Sequence, residues 1–389
     1  MTGLWLTLKI LFVLGLLTLA LFAQVDTTVS NTNITVCTGS IVANEDKNYL
    51  YNYDRLRIKS EYTKGDYFTT LIADGVHYLG EEYIHSQTFN TIRNFRSDTP
   101  FETQSSFSAY DDGLSYAKLY RFYTGYEDAN DKVILGLQKI SMGVGRIWTP
   151  TNLFNPRNSF ALEPDEIFGV LALNYSRHLS ETSMLTFVAS QKKNESYKYA
   201  TQYKNAFDFA EIGINVIASD DTKVLGYEIE ANLFDTGIEI RSEGSYIESQ
   251  LFDTLNVLKQ SYFTQAILGA DYGFKNGITW ILEAYYSSDD FTSSEIQANI
   301  SSDIISSLVF SKFYLGTSLS YSFNLVIDAG LTYIESFNEE NSRFISPTLT
   351  YTLNDFNTFY FGALLGKGNA GSEYGQISNS YYLKYGLSF

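Results

Sequence analysis

Residues suited to chemistry are sparse and scattered in this chain. The three histidines, His77, His85 and His178, lie far apart. None has the H-E-x-x-H or paired-ligand spacing that holds a metal. His85 and Ser86 adjoin, but without an orienting third group they read as loop polarity rather than a hydrolytic centre. Gly366, Gly368 and Gly371 form a glycine-rich stretch, yet no helix follows on which a phosphate could rest. The acidic pairs Glu81-Glu82, Asp111-Asp112, Asp289-Asp290 and Glu339-Glu340 could hold divalent cations beside anionic headgroups, although solvated loop charge is the simpler reading. No enzyme, cofactor or metal site is expected.

The chemistry that remains is electrostatic. Arg55, Arg57, Lys59 and Glu61 alternate with Leu56, Ile58 and Tyr62. Glu228 and Glu230 alternate with Tyr227 and Ile229, and Glu239, Arg241 and Glu243 with Ile238 and Ile240. Arg121, Lys198, Lys204, Glu283, Asp328 and Lys384 fall on the polar faces of similar segments. Rows of charge like these set the electrostatic cost of a solute moving past them. Positive and negative groups nearly balance, so the expected ion selectivity is weak.

One segment departs from this alternation: Gly145-Arg146-Ile147-Trp148-Thr149-Pro150-Thr151-Asn152-Leu153-Phe154-Asn155-Pro156-Arg157. Two prolines so close together exclude a central strand. Gly143 and Gly145 before them permit a sharp bend. Two readings stand side by side. In the first, the segment folds into a lumen and narrows it, with Arg146, Asn152, Asn155 and Arg157 at the constriction. In the second, Trp148, Leu153 and Phe154 pack as a plug that caps the mouth. The segment, with Leu137 to Ile140 before it and Glu163, Glu166 and Gly169-Val170 after it, resembles a W-x-P-T-[DN]-L-F-N-P loop motif of porin-like outer-membrane proteins without an established substrate. The resemblance is strongest from Leu119 to Tyr175, with Asn152 where Asp is commoner.

These residues need strands to position them. Segments of about ten residues with period-two alternation recur, each closed by a turn. Short turns at 63–66, 127–131, 178–182, 235–237, 275–277 and 354–357 alternate with long polar stretches at 75–113, 143–167, 287–306 and 367–378. The connections at 220–223 and 338–341 fall on the long side yet are short. Short turns on one side and long loops on the other are the pattern of a transmembrane antiparallel β-barrel, with short periplasmic turns and long extracellular loops. The spacing predicts eighteen strands, with sixteen as the alternative count, and places the first strand least firmly.

Composition agrees. The 389 residues include 31 Tyr and 28 Phe but only 5 Pro and a single Cys, so internal disulfides are excluded. The net charge of −17 argues against a nucleic-acid partner. Lys9 precedes an apolar run from Ile10 to Ala23, the length of a signal-peptide core, so residues 1–23 read as a signal peptide and 24–389 as the barrel. At the other end Tyr381, Leu383, Tyr385, Leu387 and Phe389 alternate to a terminal aromatic. This resembles the signal by which the barrel-assembly machinery recognises its clients.

The reading that follows is a bacterial outer-membrane channel for passive diffusion of small hydrophilic solutes or ions. The alternative is a closed barrel acting through its loops as a surface adhesin or anchor. Expected partners are outer-membrane lipid, the assembly machinery and small solutes, with homo-oligomerisation left open.

Overall fold

In a strand, successive side chains point to opposite faces, so alternation of charge and hydrocarbon builds a sheet with one wet and one greasy side. The computed structural model describes residues 29–44, 49–86, 89–90, 97–155, 162–163, 166–338 and 341–388. The expected signal peptide, Arg157, Glu339-Glu340 and Phe389 lie outside the described residues.

The strands are β1 (Val29–Asn44), β2 (Tyr49–Lys64), β3 (Tyr67–Leu79), β4 (Ser108–Tyr110), β5 (Gly113–Glu127), β6 (Asp131–Gln138), β7 (Val170–His178), β8 (Ser183–Gln191) and β9 (Tyr197–Ala206). They continue with β10 (Glu211–Ala218), β11 (Thr222–Asn232), β12 (Ile238–Phe252), β13 (Leu258–Gly273) and β14 (Ile278–Ser287). The last are β15 (Phe313–Ser322), β16 (Ile327–Ser336), β17 (Ser342–Asn354), β18 (Asn357–Lys367) and β19 (Ser380–Leu387). Each pairs antiparallel with its sequence neighbours, except that β3 pairs with β5 while the short β4 folds onto the upper part of β5. The sheet closes where β1 meets β19, in register from Thr38↔Gly386 to Asn44↔Ser380. The result is an eighteen-stranded closed antiparallel barrel, with β4 as an extra piece in a loop. Closure leaves no open sheet edge, the condition for a sheet in hydrocarbon.

The faces are inverted relative to a soluble sandwich. On β11, Leu225 is 55% exposed while Glu228 is 1% exposed. Lipid-facing positions carry Leu, Ile, Tyr and Phe, as at Leu50, Phe122, Ile229, Leu268, Tyr381 and Leu383. Pro347 sits within β17, where it pairs with Leu331 of β16. The ladder to β18 passes from Ile345 directly to Thr348, because proline has no N–H to give.

Some strand ends differ from the expected ones. β6 stops at Gln138 rather than 142 and β7 starts at Val170 rather than 166. The residues between find partners other than a ladder. β3 continues to Leu79, so the expected loop from 75 begins later, followed by the short helix α1 (Glu81–Ile84). β15 begins at Phe313 rather than 307. The loop before it contains helix α2 (Ser293–Ala298), whose N-cap Thr292 forms a capping box with Glu295.

A charge on the lipid face tests the assignment. Leu268→Arg, at a position two-thirds exposed to the surroundings, should cost about 2–4 kcal/mol if it lies near the bilayer midplane. Reversible unfolding in lipid vesicles measures it.

Candidate functional site

The chain between β6 and β7 leaves the wall and crosses the lumen. Its outgoing arm lacks ladder partners, and three glutamates of the opposite wall supply acceptors instead. Glu228 on β11 accepts from Gly143 N at 2.9 Å. Glu243 on β12 accepts from Val144 N at 2.8 Å and Gly145 N at 3.1 Å through one oxygen. Its other oxygen takes Thr151 N and Oγ1, both at 2.7 Å. Glu283 on β14 accepts from Arg146 N at 2.9 Å, Ile147 N at 3.1 Å and Trp148 N at 2.8 Å. A carboxylate is suited to this because it only accepts, and its two oxygens take several donors at once.

The glycines make the approach close enough. Gly143 has φ +92°, and a Cβ there would lie 2.5 Å from the Glu243 carboxylate. A Cβ on Gly145 would lie 1.7 Å from the Trp148 carbonyl oxygen. Both positions therefore require glycine.

The apolar residues of the segment fix its tip. Trp148 packs against Tyr285 and Tyr314, with ring centroids 5.6 and 5.8 Å away. Leu153 and Phe154 are buried with Ile140, Met142, Val188, Ala200 and Ile217. Lys198 donates to Leu153 O at 3.0 Å and pairs with Asp303 of the β14–β15 loop at 3.0 Å, which ties that loop to this one.

Several residues expected at the constriction or on the lumen-facing strands are bonded within the protein. Asn155 is 1% exposed; its Oδ1 accepts from Ile140 N at 2.5 Å and its Nδ2 donates to Phe168 O. It thereby bolts the outgoing arm to the return arm. Asn152 is buried and donates to Asn155 O at 2.9 Å. Arg241 is enclosed by Asp271, Glu239 and Glu283. Glu228 is surrounded by Gln202, Asn215 and Lys204. Arg121 is buried because it donates to the carbonyls of Tyr120 and Ile167, beneath the return arm. A buried polar group must be bonded, and these find their partners within the protein.

Arg146 reaches open space. Its guanidinium lies 2.9 Å from Glu239, 3.2 Å from Asp271 and 3.4 Å from Glu230. Across the barrel, the return arm meets cations. Glu163 takes Arg55 at 2.6 Å and Lys384 at 2.7 Å, and Glu166 takes Arg57 at 2.7 Å. Arg57 also bonds Asp74 at 2.7 Å. Burial alone would raise the Glu166 carboxyl, but its hydrogen bond from Arg57 and the charges of Arg55 and Arg57 hold it down to about 2. Lys59 pairs with Glu61 at 2.9 Å further down β2. Lys118 lies over the rings of Phe168 and Tyr120, at 4.1 and 5.1 Å.

The loop therefore spans from an acidic wall on β11 to β14 to a basic wall on β19, β2 and β5. These groups of strands lie about half a circuit apart in the closed order. Asp74, Lys118 and Asp271 were not among the expected site residues. Lys118 was hidden by a bulge: Ile72 pairs with Arg121 and Ala73 with Leu119, leaving Tyr120 extra. The bulge lets positions of opposite parity, 118 and 121, share the inner face. The histidines stay apart, with His77 near the outer end of β3, His85 just after α1 and His178 at the periplasmic end of β7.

No protein-family model matches the chain, and no curated protein is similar to it in sequence. Solved structures do resemble it in fold. OccAB1 of Acinetobacter baumannii aligns with TM-score 0.60 at 9% identity, covering 94% of this chain and 97% of that one. A BenF-like porin from Pseudomonas fluorescens aligns with TM-score 0.57 at 9% identity over 92% and 99%. This chain has a porin fold. Pseudomonas aeruginosa OpdK, solved with vanillate, aligns with TM-score 0.58 at 8% identity over 92% and 98%.

Within this porin fold, the glutamate contacts make a direct prediction. Glu243→Gln turns an amide NH₂ toward groups that are themselves donors, and should weaken loop docking by about 1–3 kcal/mol. Amide hydrogen exchange should accelerate across 143–151 while the barrel strands keep their protection.

Proposed function

We propose that the chain is a bacterial outer-membrane channel through which small hydrophilic solutes diffuse passively. The observation that carries this reading is a loop crossing a closed barrel between two walls of opposite charge. A plug without a solute path has no use for rows of charge beside it, whereas a channel uses them to lower the cost of a polar solute's passage. The segment from Arg146 to Arg157 is, in this reading, the constriction loop of the porin-like proteins whose motif it resembles. Residues 1–23 would be the exported chain's signal peptide. The strand ending at Phe389 would be what the assembly machinery reads.

The favoured solutes are small molecules that carry a carboxylate, as the vanillate found with OpdK does. Arg55, Arg57, Lys118 and Lys384 would attract the carboxylate to one wall. Glu230, Glu239 and Asp271 would exclude it from the other. Because acids and bases occur on both walls, small ions would feel little net preference.

Single-channel recording in a planar bilayer tests the reading. Discrete conductance steps with small reversal potentials across a salt gradient are expected. Deleting residues 149–155 should raise the conductance while the barrel still inserts. A barrel that inserts but carries no current would overturn the channel reading, and unchanged conductance in the deletion variant would remove the loop from the path.

A further inference from the structure

The loop between β18 and β19 does not remain in solvent. It turns inward through a short 3-10 segment, Tyr374–Gln376, and Tyr374 is 1% exposed. Tyr374 packs on Phe344 with centroids 6.1 Å apart, and its N–H donates to Ser342 Oγ at 3.2 Å. It belongs to one apolar cluster with Ile267, Tyr285, Tyr314 and Ile334, against which Ile147 and Trp148 of the crossing loop also pack.

Beside Tyr374, the carboxyl of Glu373 is turned into this cluster and accepts from Tyr314 Oη at 2.8 Å. The groups facing it are Tyr285 of β14, Tyr314 of β15, Ser336 of β16 and Tyr374 of its own loop. None carries a positive charge. The nearby cations are committed elsewhere or exposed: Arg343 bonds Glu335 at 3.1 Å, Lys312 faces Asp290 at 3.6 Å, and Lys367 is exposed. The buried acids described above each have a basic side chain or several backbone N–H groups. Half-buried Glu373 accepts from one hydroxyl, that of Tyr314, and among the described residues has no ion pair.

We propose that residues 368–378 form an acid-favoured latch, docked while the Glu373 carboxyl is protonated and released when it ionises, which loosens the seat of Trp148. An ionised carboxylate in an apolar cluster without a cation is strongly disfavoured, so ionisation and undocking are linked. Burial pushes the Glu373 carboxyl up to about 7. The docked state therefore holds the proton more tightly than the released one. Docking is fully favoured below the ordinary carboxylate range and is lost as pH rises through about 7. Between those two values the ratio of docked to released loop falls about tenfold per pH unit, and above about 7 it levels off. The signal reaches the constriction through two rings, since Tyr314 both bonds Glu373 and packs on Trp148.

The test uses the mature barrel in lipid vesicles with Trp280→Phe, leaving Trp148 as the reporter in the barrel. Quenching of Trp148 by an aqueous quencher is followed from about pH 5 to about pH 9. Accessibility should rise through neutral pH in this protein and stay at its acid-side level when Glu373→Gln is added. A flat profile without the Glu373 substitution overturns the latch, and so does a rise that Glu373→Gln leaves in place. The first comparison needs no variant at Glu373, so a folding defect in that variant cannot rescue the idea. The readout needs no ion flow and is independent of whether the barrel conducts. If it does conduct, single-channel current should increase over the same pH interval and lose that increase with Glu373→Gln.

Discussion

Hydrocarbon offers no partner to a backbone amide, and an unpaired N–H or carbonyl there costs several kcal/mol, so the whole wall must be one closed ladder. The pairing of β1 with β19 satisfies that constraint, and much of the architecture depends on it. A closed wall has an inside, and an inside can hold a loop that has no ladder of its own. The crossing loop faces the same difficulty on a smaller scale. Its amides from Gly143 to Trp148 are removed from the strand ladder, and wall carboxylates take their hydrogens. Glutamate side chains thus do for the loop what neighbouring strands do for the wall.

That solution shapes the electrostatics. Acids at Glu228, Glu243 and Glu283 are engaged by backbone donors, and Glu228 and Glu283 also by neighbouring cations, so they anchor the loop. The charges that remain accessible are Arg146 among Glu230, Glu239 and Asp271 on one wall, and Lys59 with the partly covered Arg55 and Arg57 on the other. The return arm supplies Glu163 and Glu166 to the basic wall, which lowers its net charge and fastens the loop at its second end. Positioning and charge compensation are therefore achieved by the same side chains. Truncating one acid would leave both a loose loop and an uncompensated cation.

The loops do not act separately. Lys198 joins the crossing loop to the β14–β15 loop through Leu153 and Asp303, while Tyr314 joins it to the β18–β19 loop through Trp148 and Glu373. A packed cluster transmits a displacement because its side chains have few alternative positions. The crossing loop is held by glutamates from one direction and by aromatic rings from another.

The sequence by itself determined the strands, the closed barrel and the identity of the inward loop. Alternation is a local property, and a bilayer reads it locally: Leu225, Tyr227 and Ile229 must face lipid whatever the rest of the chain does. The prolines and glycines between Gly143 and Pro156 likewise exclude a strand without reference to any neighbour. Only the tertiary structure decided which polar residues are bonded within the protein and which stay accessible in the lumen. Glu228, Glu243 and Glu283 are distant in sequence, and they converge on one loop because closure and strand register bring them level. Asn152, Asn155 and Arg241 have the chemistry of pore-lining groups, yet Asn152 bonds Asn155, Asn155 bonds Ile140 and Arg241 pairs with Asp271, contacts that no local pattern announces. A bulge at Tyr120 shifts the parity of one strand and brings Lys118 and Arg121 to the same face, which no strict two-residue period can express. The physical reason is the same in each case: facing is set within a strand, but partnership is set between strands that meet only when the barrel closes.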